Sequence, residues 1–170
     1  MVIVSVVVAG GSRYLFGFVA DQAGRGLQVE APISAVYLWQ AVLGVPGSTI
    51  YYDHDMLTFQ VTGPQVDVVI ALMTPLLVVA MVLLMGLGGY AAWRGASFGA
   101  LFPPLSLAFV LALIVFNKVG SPQYMVWLVP SLVLALMLDR HRWLLPASGA
   151  LIASALTFIV YPLIYDRLLG

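Results

Sequence analysis

Long uninterrupted runs of apolar residues dominate the second part of the chain. Residues 68–93, 95–117, 119–138 and 143–165 each contain at least 20 residues without a single Asp, Glu, Lys or Arg. A helix needs about 20 mostly apolar residues to cross the hydrocarbon core of a bilayer. The pattern therefore predicts four membrane-spanning helices. The turns between them are short, so successive helices should be antiparallel neighbours.

A fifth apolar run, residues 1–20, is weaker because Arg13 interrupts it. A charged residue at the centre of a bilayer costs about 2.5–3.5 kcal/mol on insertion scales. We therefore expect Arg13 to lie near a membrane interface or to face the protein interior. With this run, the sequence predicts five spans.

The segment between the first and second spans, residues 21–64, holds most of the polar residues. Within it, the apolar run 33–45 is too short for a span and predicts an interfacial or re-entrant helix, with Tyr37 and Trp39 suited to the membrane surface. Residues 49–52 and 57–61 flank a turn at 53–55 and predict a short β-hairpin. The predicted fold is an all-α membrane protein of one domain, 1–170: a first span (1–20), a long extracytoplasmic loop (21–64) with a short interfacial helix and a possible hairpin, and four further spans (65–170).

The distribution of charges gives a topology. The turns at Arg94 and at residues 140–142 lie on one side of the predicted bundle, and the long loop and Lys118 lie on the other. Basic residues are nearly balanced between the two sides, so their number does not decide the orientation. The Arg-His-Arg cluster at 140–142 is the tightest basic group, and we place it in the cytoplasm of a cell bounded by a plasma (inner) membrane.

Composition agrees with a multi-pass membrane protein and excludes several functions. The chain is 62% hydrophobic and 8% charged, with a mean hydropathy of +1.05 and no net charge, which gives no reason to expect nucleic acid as a partner. It contains no cysteine, so a thiol nucleophile and a thiolate metal site are excluded. His54 and His141 fall on opposite sides of the predicted topology. We expect neither a metal nor a cofactor.

Residues 117–130, Asn-Lys-Val-Gly-Ser-Pro-Gln-Tyr-Met-Val-Trp-Leu-Val-Pro, carry the first candidate site. Ser121-Pro122 is a typical helix start, because serine caps helices and proline suits their first turn. The positive end of a helix beside the ammonium of Lys118 attracts anions, phosphate above all. The alternative is a plain polar turn, with the Lys118 side chain extended to the headgroups.

Two further groups in the long loop are candidates. The run Asp53-His54-Asp55 offers a base or ligands for a hard cation, or it is a solvated turn. The guanidinium of Arg25 suits a phosphate or a carboxylate, and Glu30 suits a sugar hydroxyl or the role of base. The two could equally form a structural ion pair. With Lys118 on the same side, Arg25 makes a cationic site that suits anionic lipid headgroups.

Two of these stretches resemble motifs of a known family. Residues 24–30, Gly-Arg-Gly-Leu-Gln-Val-Glu, and residues 118–130 are similar to motifs of bacterial polytopic glycosyltransferases of the GT-C superfamily, in particular family 87, the polyprenyl-phosphate-mannose-dependent alpha-mannosyltransferase-like proteins. Residues 156–165 also resemble their pattern. The resemblance implies transfer of a sugar, mannose by analogy, from a polyprenyl-phosphate donor to a lipid or cell-envelope glycan acceptor on the extracytoplasmic side.

The resemblance also implies roles for individual residues. Arg25 and Lys118 would hold the donor phosphate, and Glu30, Ser121, Gln123 and Tyr124 would line the donor or acceptor pocket. Members of the family usually have more spans, and their catalytic acidic residue lies in an earlier loop. The chain therefore resembles the C-terminal half of such an enzyme. Its catalytic residue is unassigned, and Glu30 and Asp53 are the candidates to replace it.

A second class of function is also consistent with the sequence. A non-catalytic membrane module that binds anionic lipid or a partner subunit would need only Arg25, Lys118 and the apolar part of the long loop. A proton- or cation-coupled transporter is disfavoured, because the four long spans carry no carboxylate deep in their interior.

Overall fold

The structure, a computed structural model, describes residues 25–169, which form a set of apolar helices covered at one end by a small loop layer. The predicted span at residues 1–20 lies outside the described residues. In chain order the elements are α1 (Ser34–Val42), β1 (Thr49–Asp53), β2 (Thr58–Thr62), α2 (Val66–Trp93), α3 (Phe98–Phe116), a 3₁₀ helix (Pro122–Trp127), α4 (Leu128–Leu138), α5 (Arg140–Phe158), a π-helix (Ile159–Ile164) and α6 (Tyr165–Leu169).

Three of the described helices are long and apolar enough to cross a membrane. They are α2, α3 and the helix Arg140–Tyr161, which continues α5. At the predicted span 119–138 the structure has the apolar helix Pro122–Leu138, which is shorter than the other three. Its first turns are 3₁₀, which rises about 2.0 Å per residue against about 1.5 Å for α. The whole helix Pro122–Leu138 therefore extends about 28 Å, close to the roughly 30 Å of a bilayer core.

Successive helices are neighbours, as their short connections predict. Contacts join α2 to α3, α3 to α4, and α4 to α5. Gly88 allows the first pair to approach closely, since a Cβ at this position would lie 2.6 Å from Cδ2 of Leu105. The turn after α2 uses Gly95 at a φ of +85°, and the carboxylate of Asp139 accepts a hydrogen bond from the N–H of Arg142 at the start of α5.

The loop layer contains the predicted interfacial helix and hairpin. The helix is shorter than residues 33–45, because Ser34 begins it with its hydroxyl bonded to the carbonyls of Val29 and Ala31, and it ends before Gly44, whose φ is +71°. The two strands are antiparallel, with Thr49 opposite Thr62. The described chain is thus a helical protein with a small two-stranded sheet rather than purely α.

The segment 27–29 joins the loop layer to the helices. The N–H of Val29 donates to the carbonyl of Phe59 (3.1 Å), and the N–H of Val61 donates to the carbonyl of Leu27 (2.9 Å), so the segment lies along β2. The N–H of Gln28 donates to the carbonyl of Lys118 (3.1 Å). The buried apolar core is formed by residues of this layer: Leu27, Val29, Ala31, Tyr37 and Val61. The loop and the Lys118 turn therefore meet on one side of the bundle, as the predicted topology requires.

Candidate functional site

A cavity of about 430 Å³ lies where the loop layer meets the helix ends. It is bounded by the loop at Glu30, by the turn and 3₁₀ helix that follow Lys118, and by the last turns of α5 with the π-helix. Most of its wall is apolar. The lining residues are Val29, Glu30, Pro32, Leu38, Ile114, Gly120, Ser121, Pro122, Tyr124, Met125, Leu156, Thr157, Val160, Tyr161 and Tyr165.

Glu30 supplies the carboxylate of this cavity. The hydroxyl of Tyr165 donates to its Oε1 at 2.6 Å. Its Oε2 is buried and has no hydrogen-bond partner among the described residues. Tyr161 stacks on Tyr165, with ring centroids 4.7 Å apart and an interplanar angle of 26°. Tyr165 therefore holds one carboxylate oxygen, and the Tyr161 hydroxyl also interacts with the carboxylate, whereas Oε2 accepts no hydrogen bond of ordinary geometry.

Tyr165 reaches Glu30 from a turn beyond the membrane helix Arg140–Tyr161. The chain widens into a π-helix over Ile159–Ile164, which contains Pro162, a residue with no N–H to donate to the preceding turn. Burial, followed by the hydrogen bond to Glu30, raises the pKa of Tyr165 to about 12. The phenol consequently remains protonated and continues to donate to Glu30 throughout the ordinary pH range.

The predicted helix start at Ser121-Pro122 is confirmed, with Pro122 in the first turn. The helix is 3₁₀ at first, and the Ser121 side chain makes no capping hydrogen bond. Ser121 and Tyr124 line the cavity, and Tyr124 stacks on Trp127 with centroids 4.4 Å apart. Gln123 lies in an adjoining recess that shares Tyr161 with the cavity. The structure thus brings Glu30, Ser121 and Tyr124 together, with Gln123 beside them.

Gly120 makes the contact between the two motif regions possible. A Cβ at this position would lie 2.2 Å from the carbonyl carbon and oxygen of Glu30. The backbone of the Lys118 turn therefore touches the backbone that positions Glu30. Sequence reasoning missed this glycine, and it missed Tyr161 and Tyr165 as site residues. The available signal for the tyrosines was their spacing of four residues, which places both on one helix face.

Lys118 is buried rather than extended to the headgroups, with 5% of its surface exposed. Its backbone carbonyl accepts the hydrogen bond from Gln28, and burial lowers the pKa of its ammonium. Lys118 is not among the residues that line the cavity with Glu30. The structure therefore places it next to the site but not in its wall.

Arg25 and Asp53 lie elsewhere, in a recess of about 360 Å³ whose lining also includes Gln60 and Asp67. The Nε of Arg25 is buried and has no hydrogen-bond partner among residues 25–169. Arg25 and Glu30 thus line different recesses, and the structure does not join Arg25, Lys118 and Glu30 in one cationic site.

The carboxylate of Asp53 is engaged by the hairpin. Its Oδ1 accepts from the N–H groups of Asp55 (3.0 Å) and Met56 (3.1 Å), and its Oδ2 accepts from Nε2 of Gln60 (2.7 Å). This is the arrangement of a turn-forming aspartate. Over the part of the chain that the structure describes, no three His, Asp or Glu side chains are grouped to hold a metal ion.

The burial of Lys118 makes a prediction about stability. Because its pKa is lowered from 10.5 in the folded state, the folded protein binds fewer protons than the unfolded chain as the pH approaches 10.5. We expect the thermal stability of the wild type, relative to that of Lys118→Met, to rise between pH 8 and pH 10. Melting curves in detergent across this range measure the difference. Parallel curves for the two proteins would contradict the assignment.

Three helices of sufficient length and hydrophobicity indicate a membrane protein. Comparison of the chain with protein-family models, with curated proteins and with solved structures gave no match. The likeness to glycosyltransferases therefore depends on the motif residues of the chain itself.

Proposed function

We propose that the chain is a membrane glycosyltransferase, or part of one. It transfers a sugar, mannose by the resemblance, from a polyprenyl-phosphate donor to a lipid or cell-envelope glycan acceptor on the extracytoplasmic side of the plasma membrane. The observation that carries the proposal is the meeting of the two motif regions. Glu30 and the Ser121–Tyr124 stretch are far apart in sequence but line the same cavity.

The cavity suits a ligand that is part lipid and part polar. Its volume of about 430 Å³ lies within the common range for small-molecule sites, roughly 300–1,000 Å³. Apolar side chains such as Leu38, Ile114 and Val160 form most of the wall and would contact a hydrocarbon chain. The polar groups are concentrated around Glu30, where a sugar or an acceptor hydroxyl would lie.

In the proposed reaction Glu30 is the general base. Its carboxylate accepts the proton of the acceptor hydroxyl, and the acceptor oxygen attacks the anomeric carbon of the donor sugar. A new carbon–oxygen bond forms as the bond from that carbon to the phosphate oxygen breaks. The polyprenyl phosphate leaves with the electron pair. Asp53 is the poorer candidate for the base, because both of its oxygens accept hydrogen bonds within the hairpin.

Lys118 and Arg25 keep their proposed role toward the donor phosphate, but from outside the cavity. A cation beside the leaving phosphate would stabilise the charge that develops there. Lys118 adjoins the cavity through Gly120, whereas Arg25 lines the separate recess that includes Asp53 and Gln60. Of the two, Lys118 is therefore the better placed to assist.

The second candidate is a non-catalytic membrane module that binds lipid. The observation in its favour is that the wall of the cavity is mainly apolar, which suits a lipid chain. Such a module would hold a lipid chain without turnover.

Binding and turnover of a polyprenyl-phosphate mannose with a labelled sugar test the proposal on the reconstituted chain. We expect donor binding and slow loss of the label to added glycan or lipid acceptors. We also expect Lys118→Met to weaken donor binding about tenfold, since charge-assisted contacts are the strong ones. Arg94→Met removes an exposed cation at the opposite turn and serves as the control.

The outcomes separate the two candidates. Binding without any transfer would favour the lipid-binding module. Absence of donor binding would exclude the transferase, and equal effects of the two substitutions would remove the phosphate role of Lys118.

A further inference from the structure

The unpartnered Oε2 of Glu30 is the feature of the cavity that its apolar wall does not explain. A buried polar group without a hydrogen bond costs about 1–3 kcal/mol, and a charged one costs more. Native proteins leave few such groups unsatisfied, and those that remain are often explained by a ligand, a water molecule or a catalytic role. Oε1 accepts from Tyr165, and the hydroxyl of Tyr161 also interacts with the carboxylate, but Oε2 accepts no hydrogen bond of ordinary geometry.

The chemistry of a carboxylate limits what that donor can be. An ionised carboxylate accepts hydrogen bonds and donates none. A hydroxyl group is a suitable partner, whereas a phosphate would be repelled by the like charge at close range. The group that reaches Oε2 is therefore not the phosphate of a lipid-linked donor.

The walls indicate what carries the hydroxyl. Apolar residues from α3, from the 3₁₀ helix and from the end of α5 enclose the cavity, which suits a hydrocarbon chain. The stacked rings of Tyr161 and Tyr165 lie beside the carboxylate and offer an aromatic surface with a polar edge. Such a surface suits a sugar ring or an alcohol attached to a lipid.

We infer that the cavity binds the hydroxyl-bearing head of a neutral lipid-like amphiphile, whose hydroxyl donates to Oε2 of Glu30. Tyr165 acts as a positioning residue that holds Oε1, so that Oε2 faces the ligand. This inference deepens the proposed function and rests on it in one respect: within the transferase, the cavity is the acceptor subsite. The donor phosphate then lies outside, on the side of Lys118.

Binding to the full chain in lipid nanodiscs tests the inference, with octyl mannoside and octyl phosphate as probes of equal chain length. The comparison is made in Lys118→Met, which lacks the cation proposed to hold the donor phosphate, and we expect octyl mannoside to bind at least about tenfold more tightly than octyl phosphate. Glu30→Gln keeps the size of the side chain and removes its charge. We expect it to weaken mannoside binding about tenfold, to strengthen phosphate binding, and so to abolish the preference.

Asp55→Asn is the matched control, because it makes the same chemical change in an exposed turn outside the cavity. It should leave both affinities unchanged. Tyr165→Phe should weaken mannoside binding while leaving the affinity for octyl phosphate near that of the wild type, a selective effect that a loss of folding would not give. If Glu30→Gln does not fold, the ratio of the two affinities in Lys118→Met still decides.

Two results would overturn the inference. One is octyl phosphate binding as tightly as octyl mannoside to Lys118→Met, in which the proposed donor-phosphate cation is absent. The other is octylammonium binding more tightly than octyl mannoside in a Glu30-dependent manner, which would identify the ligand as a cation. Donor turnover with no mannoside binding would reject this inference but keep the transferase. Glu30-dependent mannoside binding without any transfer would keep this inference and reject the transferase.

Discussion

Gly120→Ala is expected to lower the melting temperature of the protein by about 5–10 °C, which corresponds to a loss of about 2–3 kcal/mol for a chain of this size. The added methyl group would lie 2.2 Å from the backbone of Glu30. A side chain could rotate away from such an overlap, but a backbone carbonyl cannot. The Lys118 turn and the loop layer must therefore separate, and the hydrogen bond from Gln28 to Lys118 would be lost with their contact. Thermal unfolding in detergent measures the change.

Gly89→Ala is the matched control for this experiment. Gly89 lies inside α2, and a Cβ there would meet nothing within 4 Å. Alanine favours helix over glycine, so we expect unchanged or slightly higher stability. Equal melting temperatures for Gly120→Ala and the wild type would show that the close contact between the turn and the loop is not formed.

Glu30→Gln is expected to lower the rate of sugar transfer by a factor of about 10² to 10⁴, the usual contribution of a general base. Glutamine fills the same space and can still accept from Tyr165, but it cannot take up the proton of an acceptor hydroxyl. The measurement is the initial rate of label transfer from polyprenyl-phosphate mannose at saturating donor. Donor binding should change little, because the donor phosphate lies outside the cavity.

Asp55→Asn again provides the comparison, and it should transfer sugar at the wild-type rate. A Glu30→Gln protein that keeps more than about a tenth of the activity would exclude Glu30 as the base. Asp53 would not become the next choice, since its oxygens are occupied within the hairpin. Another carboxylate would then have to act as the base.

The elements of this protein were largely predictable because their signals are local. The charge-free run at 68–93 matches α2, and the run at 95–117 matches α3. Two short stretches on either side of Asp53 predicted the hairpin, and the structure pairs them as antiparallel strands. The run at 119–138 was read as an ordinary span, because hydrophobicity does not reveal that its first turns are 3₁₀.

Site residues were predicted in part. Glu30, Ser121 and Tyr124 were chosen for their chemistry and for the family resemblance, and they line one cavity. Arg25, Asp53 and Lys118 were chosen on the same grounds, but the structure puts them elsewhere. Net charge and side-chain type could not distinguish the two groups, because the difference lies in which recess each residue lines.

The sequence by itself determined that this is a helical membrane protein with a polar loop on one side. The length of an apolar run and the residues of a turn determine the structure of the same segment, so both can be recognised locally. Only the tertiary structure decided that Glu30 meets Tyr165, at 2.6 Å and across most of the chain. That contact depends on a glycine small enough to let two backbones touch and on a widened turn after α5. Neither is a local property of the residues that form the site.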